Sequence, residues 1–519
     1  MPHPAHPWEH SAAAPDKPAI IMADTGQFLT YGQMMQHADR AANAFAALGC
    51  RPGDSIALLS ENNATYAEIC WAAKNSGLYY ACVSTQLNLD DATYVVETSD
   101  ARILIASADF AGQALEIARN VPRNLPVLIF GAQPAGALSY ENLRDQAPAT
   151  RQDNPRRGAS VLFSSGTTGR PKAVRATIVD VAPQVPPVRH AALLKYFSLS
   201  RDTVFLNPGP YYHAAPLRLM MSAHREGGTV IGFQRFDALK VLQAIHRYQA
   251  THGFFVPTML NRMLNLPEKV RAGAKVRSLR CAIHGAAPCP VHLKRAMMDW
   301  WGPVLFELYG GTEGCGQTFI TPQEWLRKPG SVGMAAPGCR IRIVDERGRA
   351  LGPNQTGLIY MGNGRRFEYY NDAQKTAEAH DAEGLATMGD IGHLDEDGYL
   401  FLTDRRSHMI ISGGVNIYPQ EAENILSAHP AVADVAVIGV PHPDYGEEVK
   451  AVVQPKNTPG DEAALAAELI AYCRSRLSAY KCPRSVDFSG ELPRNEAGKL
   501  LKRLIKARYW PSSTARAAE

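Results

Sequence analysis

The sequence predicts a large α/β domain followed by a small α+β domain, and three observations carry that prediction. From residue 29 to about residue 330, short apolar runs alternate with helical segments, the pattern of βα units built around mostly parallel sheets. The chain has 519 residues, more than one hydrophobic core supports. Beyond Arg405 the alternation stops, and two strands and a long helix occupy a remainder of domain size, about 115 residues. The predicted layout is therefore a domain over 1–403, with its sheets layered with helices, and a second domain over 404–519, joined at Asp404.

Composition narrows the classes. Hydrophobic residues make up 45% and charged residues 20%, as in an ordinary globular protein. A net charge of +4 is too small for this length to point to nucleic acid or a membrane surface. The nine cysteines stand singly with no C-x-x-C pair, which argues for a reducing compartment and against a zinc ribbon or disulfide scaffold. The N-terminal MPHPAHPWEH lacks a basic and an apolar region, so no signal peptide is expected. No run approaches the roughly 20 apolar residues of a membrane span. The expected location is the cytoplasm.

The elements follow in order. Residues 29–48 place apolar side chains at helical spacing, and Gly49 with the Pro52-Gly53-Asp54 turn ends the helix. Ile56–Leu59, Tyr79–Ser84 and Ile103–Ala106 read as buried strands. Thr65–Ser76 and Leu89–Thr98 read as the helices between them. Val161–Phe163 is a further strand, and 213–224 a further helix. Leu279–Ile283 is a strand. After Arg405 come strands at about 432–440 and 447–454 and a helix at 462–478.

The strand at Val161–Phe163 delivers the chain into Ser164–Lys172, SSGTTGRPK. Glycines let backbone N–H groups approach an oxyanion, and successive N–H groups in a turn make an anion-binding hollow. Ser164, Ser165, Thr167 and Thr168 add hydroxyls, and Lys172 adds a mobile charge. A solvated loop tip has the same composition. The loop is not a Walker A motif, which needs Gly before the Lys and Ser or Thr after it; Pro171 and Ala173 stand there.

Five further segments carry candidate chemistry. His213 and Pro216 lie in NPGPYYHAAPL, where an aromatic setting ordinarily means a packed histidine. Gly285, Ala286 and Ala287 follow a strand and leave room for a flat ring against the backbone. In LYGGTEG, Tyr309 can stack on a base, Thr312 offers a hydroxyl and Glu313 a hard oxygen for Mg2+. Asp390 reads as a carboxylate in a Gly-flanked turn between short strands, where capping its own backbone is the commoner role. Gly498-Lys499 lies near the end in LPRNEAGKLLKR.

Together, in this order over about residues 20–505, these segments resemble the adenylate-forming superfamily of acyl-CoA synthetases, luciferases and peptide-synthetase adenylation domains. The resemblance is closest to bacterial fatty-acyl-CoA-synthetase-like ligases. The loop matches Ser-Gly-Thr-Thr-Gly-x-Pro-Lys at every fixed position. Met388 and Ser407-His408 depart from the family pattern, which has Thr and Lys-Asp there. The resemblance implies an AMP-binding domain followed by a lid, with its hinge at Asp404. It implies that Ser164–Gly169 and Lys172 hold phosphates, Gly285–Ala287 face adenine, Tyr309, Gly310 and Thr312 complete the nucleotide site, and Asp390 and Arg405 hold ribose. It assigns Glu313 to Mg2+, His213 and Gly311 to the acyl pocket, and Gly413-Gly414 to the CoA tunnel. Lys499 is the implied catalytic lysine, aided by Glu313, Thr168 and Lys172. Leu217, Met220 and Met221 would wall the pocket, although core packing explains them equally.

The implied reaction is ATP-dependent activation of a lipophilic carboxylic acid (fatty, steroid-side-chain or aryl) through acyl-AMP to acyl-CoA. ATP, Mg2+ and coenzyme A are the expected cofactor and co-substrates. Two alternatives stand beside it: an acyl-AMP ligase loading a carrier protein, and an inactive nucleotide-binding homologue. No G-x-S-x-G or Cys/His nucleophile pattern occurs, which weakens a hydrolase reading. The sequence leaves open a homodimer, peripheral membrane association and the identity of the acid.

Overall fold

The computed structural model describes residues 6–132, 134–164, 171–364, 366–495 and 498–510, without the side chains of Ser164, Val188 and Arg189. The chain forms two compact units. The first comprises Met1–His284, Thr312–Gly314 and Arg365–Glu378; the second comprises Gly285–Gly311, Cys315–Gly364 and Ala379–Glu519.

The first unit holds an eight-stranded sheet in the order 368–369, 172–175, 159–164, 79–83, 55–59, 101–107, 127–130, 138–139. Pairing is parallel from Ala159–Ser164 through Leu138–Ser139. The Lys172–Arg175 strand turns back antiparallel on Ala159–Ser164. Alternate residues Ala57, Leu59, Ala81, Val83, Leu104 and Ala106 share one buried cluster with Val95, Val96, Ala114 and Ile117 from the covering helices. That burial explains why these strands read as continuous apolar runs. A second set of strands, 281–285, 252–255, 204–207, 229–232 and 18–22, is also parallel, with 28–30 antiparallel at its edge. The Tyr31–Ala47 helix starts at a capping box: Thr30 Oγ1 accepts from Gln33 N–H, and Gln33 accepts in return from Thr30 N–H.

The second unit is antiparallel from its first hairpin. Leu305–Gly310 pairs with Gln317–Ile320, which pairs with Ser331–Ala335. Beyond these lie Leu400–Arg405, Ala386–Leu394, Gly357–Gly362 and Arg340–Val344. The alternating βα pattern expected to about residue 330 therefore ends with the helix Val291–Trp301. A five-stranded sheet follows, built on the long hairpin Val432–His442 and Gly446–Pro455. Both its faces are covered. Val435 and Val437 pack with Leu426 and Leu469 on one side; Ala436, Ile438 and Val440 pack with Leu492 and Ile505 on the other. The chain first leaves the first unit after His284 and returns to it at Thr312–Gly314 and Arg365–Glu378, while Arg405 ends the last strand before the five-stranded sheet. The helix expected at 462–478 ends at Arg474.

Candidate active site

In the second unit, three side chains meet across two strand pairs. Asp390 and Arg405 face each other as direct cross-strand partners. Arg405 Nε lies 3.0 Å from Asp390 Oδ1, and the Tyr309 hydroxyl donates to Asp390 Oδ2 at 2.7 Å. Burial, with the Asp390 charge beside it, pushes the Tyr309 hydroxyl well above its ordinary range, so Tyr309 stays a donor. The carboxylate is buried at 6% exposure yet retains acceptor capacity, because an ionised carboxylate has about four lone-pair sites. Asp390 lies within the nine-residue strand Ala386–Leu394, not in the turn expected between short strands. Gly389 at φ 79° produced the turn-like sequence, and its N–H is taken by Thr387 Oγ1 at 3.0 Å.

Gly285 ends the Cys281–Gly285 strand against the backbone of the Tyr309 strand. A Cβ there would stand 2.4 Å from the Leu308 carbonyl oxygen, so no larger residue fits. Ala286 then adopts φ 68°, a conformation that costs a non-glycine residue energy, and it is exposed. The Tyr309 strand is pinned from below by Lys294, whose ammonium sits 2.7 Å from Glu307 Oε2 with both groups buried.

Lys499 lies in a tight turn of the same unit. Asn495 Oδ1 accepts from Lys499 N–H at 2.9 Å, and Asn495 N–H donates to the Lys499 carbonyl at 3.0 Å. Arg494 fixes this turn, forking onto Asp434 with two bonds of 2.7 Å and donating to the Gly498 carbonyl at 2.6 Å. Gly413 and Gly414, at φ 57° and 79°, are the central residues of the hairpin between Ile410–Ser412 and Val415–Ile417. Two successive positive φ values define a type I′ turn, which explains the Gly-Gly pair.

Asp404 is buried and makes three bonds. Its carboxylate accepts from Arg405 N–H at 2.6 Å, His408 Nδ1 at 3.1 Å and Gln420 N–H at 2.8 Å. Burial works against the ionised form, but the His408 bond and the nearby Lys502 charge hold the carboxyl below its usual range. Gln420 opens the helix Gln420–Leu426, so Asp404 satisfies an end-of-helix N–H from sixteen residues away.

In the first unit, Glu313 Oε1 accepts from the Tyr369 hydroxyl at 3.0 Å. The Lys172 ammonium lies 5.2 Å from the Tyr369 ring centroid, within cation–π range. The sequence reading missed Tyr369; its only signal was the aromatic run in FEYYND. Thr312 is tied to the helix Ala214–Arg225 by Arg218, which donates to its carbonyl at 2.9 Å. His213 caps that helix and packs edge-on to Tyr212 at 4.8 Å. Burial lowers its pKa to about 4, so it is neutral at pH 7. A cavity of about 310 Å3 runs along this helix, bounded by Thr312–Gly314, Leu217 and Met221. Of the three residues that the sequence left open between pocket wall and core, Met220 is fully buried in the core. Ser165, Gly166, Thr167, Thr168 and Gly169 lie outside the described residues, as does the Ser164 side chain.

Among the described residues, no group of three or more His, Cys, Asp or Glu side chains gathers to hold a metal. A lone Glu313 suits Mg2+, which binds through one or two carboxylates plus substrate phosphates. All nine cysteines are free thiols, and no described helix is long and apolar enough to cross a membrane.

A parallel α/β unit followed by an antiparallel unit with a carboxylate–arginine–tyrosine cluster is the frame of a nucleotide-dependent enzyme, and the comparisons give the family. The AMP-binding enzyme family matches residues 8–370, and the AMP-binding enzyme C-terminal domain matches residues 421–499. The chain belongs to the AMP-binding enzyme family and is an AMP-forming acid–thiol ligase. It is 30% identical over 507 residues to the long-chain-fatty-acid–CoA ligase FadD13 of Mycobacterium tuberculosis (strain ATCC 25618 / H37Rv), covering 96% of this chain and 97% of that one. It is 32% identical over 508 residues to a feruloyl-CoA synthase of an Amycolatopsis species, covering 97% and 98%. Among solved structures, o-succinylbenzoate CoA synthetase (MenE) of Bacillus subtilis in complex with its acyl-adenylate intermediate superposes with a TM-score of 0.80 at 27% identity, covering 97% and 98%.

Proposed function

We propose that the enzyme activates a lipophilic carboxylic acid with ATP and transfers the acyl group to coenzyme A. The observation that carries the nucleotide assignment is the Tyr309–Asp390–Arg405 cluster. Its carboxylate accepts the ribose hydroxyls, Tyr309 lies against the base, and Gly285–Ala287 supply a flat floor. In the first step a carboxylate oxygen of the acid attacks the α-phosphorus, and the bond to pyrophosphate breaks. Lys499, presented by the Arg494-anchored turn, neutralises charge developing between the carboxylate and the α-phosphate. Ser164–Gly169 and Lys172 bind the remaining phosphates. Mg2+ held by Glu313 and the phosphates would neutralise charge on the phosphate oxygens. In the second step the CoA thiolate attacks the acyl carbonyl and AMP leaves.

The domain over 404–519 acts as a lid, with its hinge at Asp404. Lys499 and the Gly413-Gly414 turn both lie on it, the first serving adenylation and the second lining the pantetheine path. Rotation between the steps lets each act in turn. Apolar wall residues Leu217 and Met221 favour a lipophilic acid, since each buried CH2 is worth about 0.8 kcal/mol.

The test measures AMP release with a graded acid series, with CoA or a holo carrier protein as acceptor. Values of kcat/KM should rise with apolar bulk, and CoA should be used. Preference for acetate would overturn the lipophilic assignment, and exclusive use of the carrier protein would overturn the acceptor.

A further inference from the structure

The helix Ala214–Arg225 lines the cavity with Leu217 and, along one side, with Arg218, Met221, Ser222 and Arg225. The spacing of these last four, i, i+3, i+4 and i+7, is one stripe of a helix. Leu219, Met220 and Ala223 lie on the other side and are buried in the core. A pocket for plain hydrocarbon would make the inner face apolar throughout; this one sets Arg218 and Arg225 beside Leu217 and Met221.

The far end of the cavity is more cationic still. Lys74 and Arg157 join Arg225 there, next to Gly158–Ser160. Those residues open the strand Ala159–Ser164, so Ser160 lies about 13 Å along the strand from Ser164 and the start of the phosphate loop. Arg218 and Arg225 are separated by about 10 Å along their helix. Arg218 reaches the Thr312 end through its bond to the Thr312 carbonyl, which places Arg225 deep. Arg225 is 2% exposed. It is braced by donating to the carbonyls of Pro183 at 2.7 Å and Gln184 at 2.9 Å. Arg157 donates to the Val185 carbonyl at 2.5 Å. Both guanidiniums therefore grip one chain segment, residues 183–185, which holds them in place. With Arg366 there are five cationic residues in the lining against a single carboxylate, Glu313. Guanidinium and ammonium groups bind carboxylate and carbonyl oxygens through charge-assisted hydrogen bonds, so this end suits a ligand that brings an oxygen acceptor.

We propose that the acid substrate carries a second oxygen acceptor, a carboxylate or a carbonyl, remote from the reacting carboxylate, and that Arg225, Arg157 and Lys74 receive it at the far end of this cavity. The proposal rests on the ligase reading above and on assigning this cavity to the acyl group. Apolar Leu217 and Met221 then enclose the body of the substrate, and the cationic end selects among bodies of equal length.

The experiment compares kcat/KM for octanoate, decanoate and dodecanoate with the matching α,ω-diacids and penultimate ketones, using the full-length enzyme, ATP and CoA. At the best length, an oxygenated acid should exceed its plain counterpart by roughly tenfold or more, the scale of a hydrogen bond to a charged group. Arg225→Met and Arg157→Met should each cut that ratio toward one. If Arg225→Met fails to fold, Arg157→Met, whose side chain is more exposed, carries the test alone. A diacid preference identifies an anionic acceptor and a ketone preference a neutral one; either supports the proposal. Equal or better use of the plain acids overturns it and leaves the ligase reading intact. Absence of AMP release with every acid of the series overturns the assignment of a lipophilic acid, and this proposal with it, while leaving the ligase class in place.

Discussion

Asp390→Asn tests the nucleoside cluster with the smallest change in shape. The two carboxylate oxygens are engaged separately, Oδ2 by the Tyr309 hydroxyl at 2.7 Å and Oδ1 by Arg405 Nε at 3.0 Å. Asparagine keeps one acceptor oxygen and puts an NH2 donor in place of the other. With its oxygen toward Arg405 it offers NH2 to the Tyr309 hydroxyl, which must reverse and accept; with its NH2 toward Arg405 two donors meet; in both cases the acceptor has lost its charge. A hydrogen bond to a charged group is worth about 1.5–3 kcal/mol. Arg405 is 35% exposed, so solvent screening reduces the stability effect of losing its partner to about 1 kcal/mol or less. The proposed ribose bonds lose their charge assistance as well. The expected result is a fall of roughly ten- to a hundredfold in kcat/KM for ATP, with the KM for the acid changed little. Pyrophosphate exchange at varied ATP and saturating acid measures the first; the reciprocal titration measures the second. An unchanged ATP dependence, or an equal rise in the KM for the acid, would refute the ribose assignment.

Other perturbations separate the remaining parts of the proposal. Lys499→Ala should slow acyl-AMP formation by about 2.7–4 kcal/mol, a hundred- to thousandfold, and spare thioester formation from supplied acyl-AMP; equal loss in both steps counts against its role. Asp404→Pro should preserve adenylation and cripple CoA transfer by fixing φ near roughly −65°, with Asp404→Ala as the control for lost carboxylate bonds; CoA transfer at the wild-type rate refutes the hinge. Gly311→Leu should reject long or bulky acids while sparing short ones, at the roughly 1–3 kcal/mol typical of overpacking; an unchanged length profile removes Gly311 from the pocket. Stability should fall with acid. His6 and His224 are buried, and burial foremost lowers them to about 2 and about 4. Each ring also spends both nitrogens as a neutral imidazole, His224 between Trp71 Nε1 and the Ala19 carbonyl, and His6 between Trp8 N–H and Asn75. Both folded values lie below the unfolded value of 6.5, so the unfolded chain takes up protons first. Stability is therefore full above that value and lost as pH falls toward the folded values. At pH 5.5 the pair should cost about 2–3 kcal/mol, visible as a lower urea midpoint than at pH 7.5; equal midpoints refute it.

Local signals made much of the first unit legible. The helix Leu89–Thr98 has the expected ends because Asn88 caps it and Ala92, Val95 and Val96 mark its buried face. The strands at 55–59 and 79–83 are buried throughout, so composition alone identifies them. The failures share a cause: they depend on partners far away in the chain. Asp390 looks like a turn residue until Leu400–Arg405 pairs alongside it. The helix from Glu462 seemed to extend to 478 because Leu477 still packs on the core after the helix has ended. Tyr369 meets Glu313, fifty-six residues away, through its hydroxyl, and Lys172 through its ring. Met220 and Met221 look alike in sequence, which left core and pocket wall equally open for both; one faces the core and the other the cavity.

Asp404 and Arg405 are neighbours on one strand, and successive strand side chains point to opposite faces. Arg405 engages Asp390, while the Asp404 carboxylate engages His408 and the first N–H of the Gln420 helix. A single peptide unit thus joins the Arg405–Asp390 contact to the Asp404 contacts at the start of the Gln420 helix. A ribose that draws Asp390 toward itself pulls on Arg405, and that pull falls on the residue about which the lid is proposed to swivel. Amide exchange at Gln420 should therefore report whether the nucleotide is bound, and Arg405→Lys, which cannot reproduce the side-on guanidinium contact, should uncouple the gauge while leaving both ends in place.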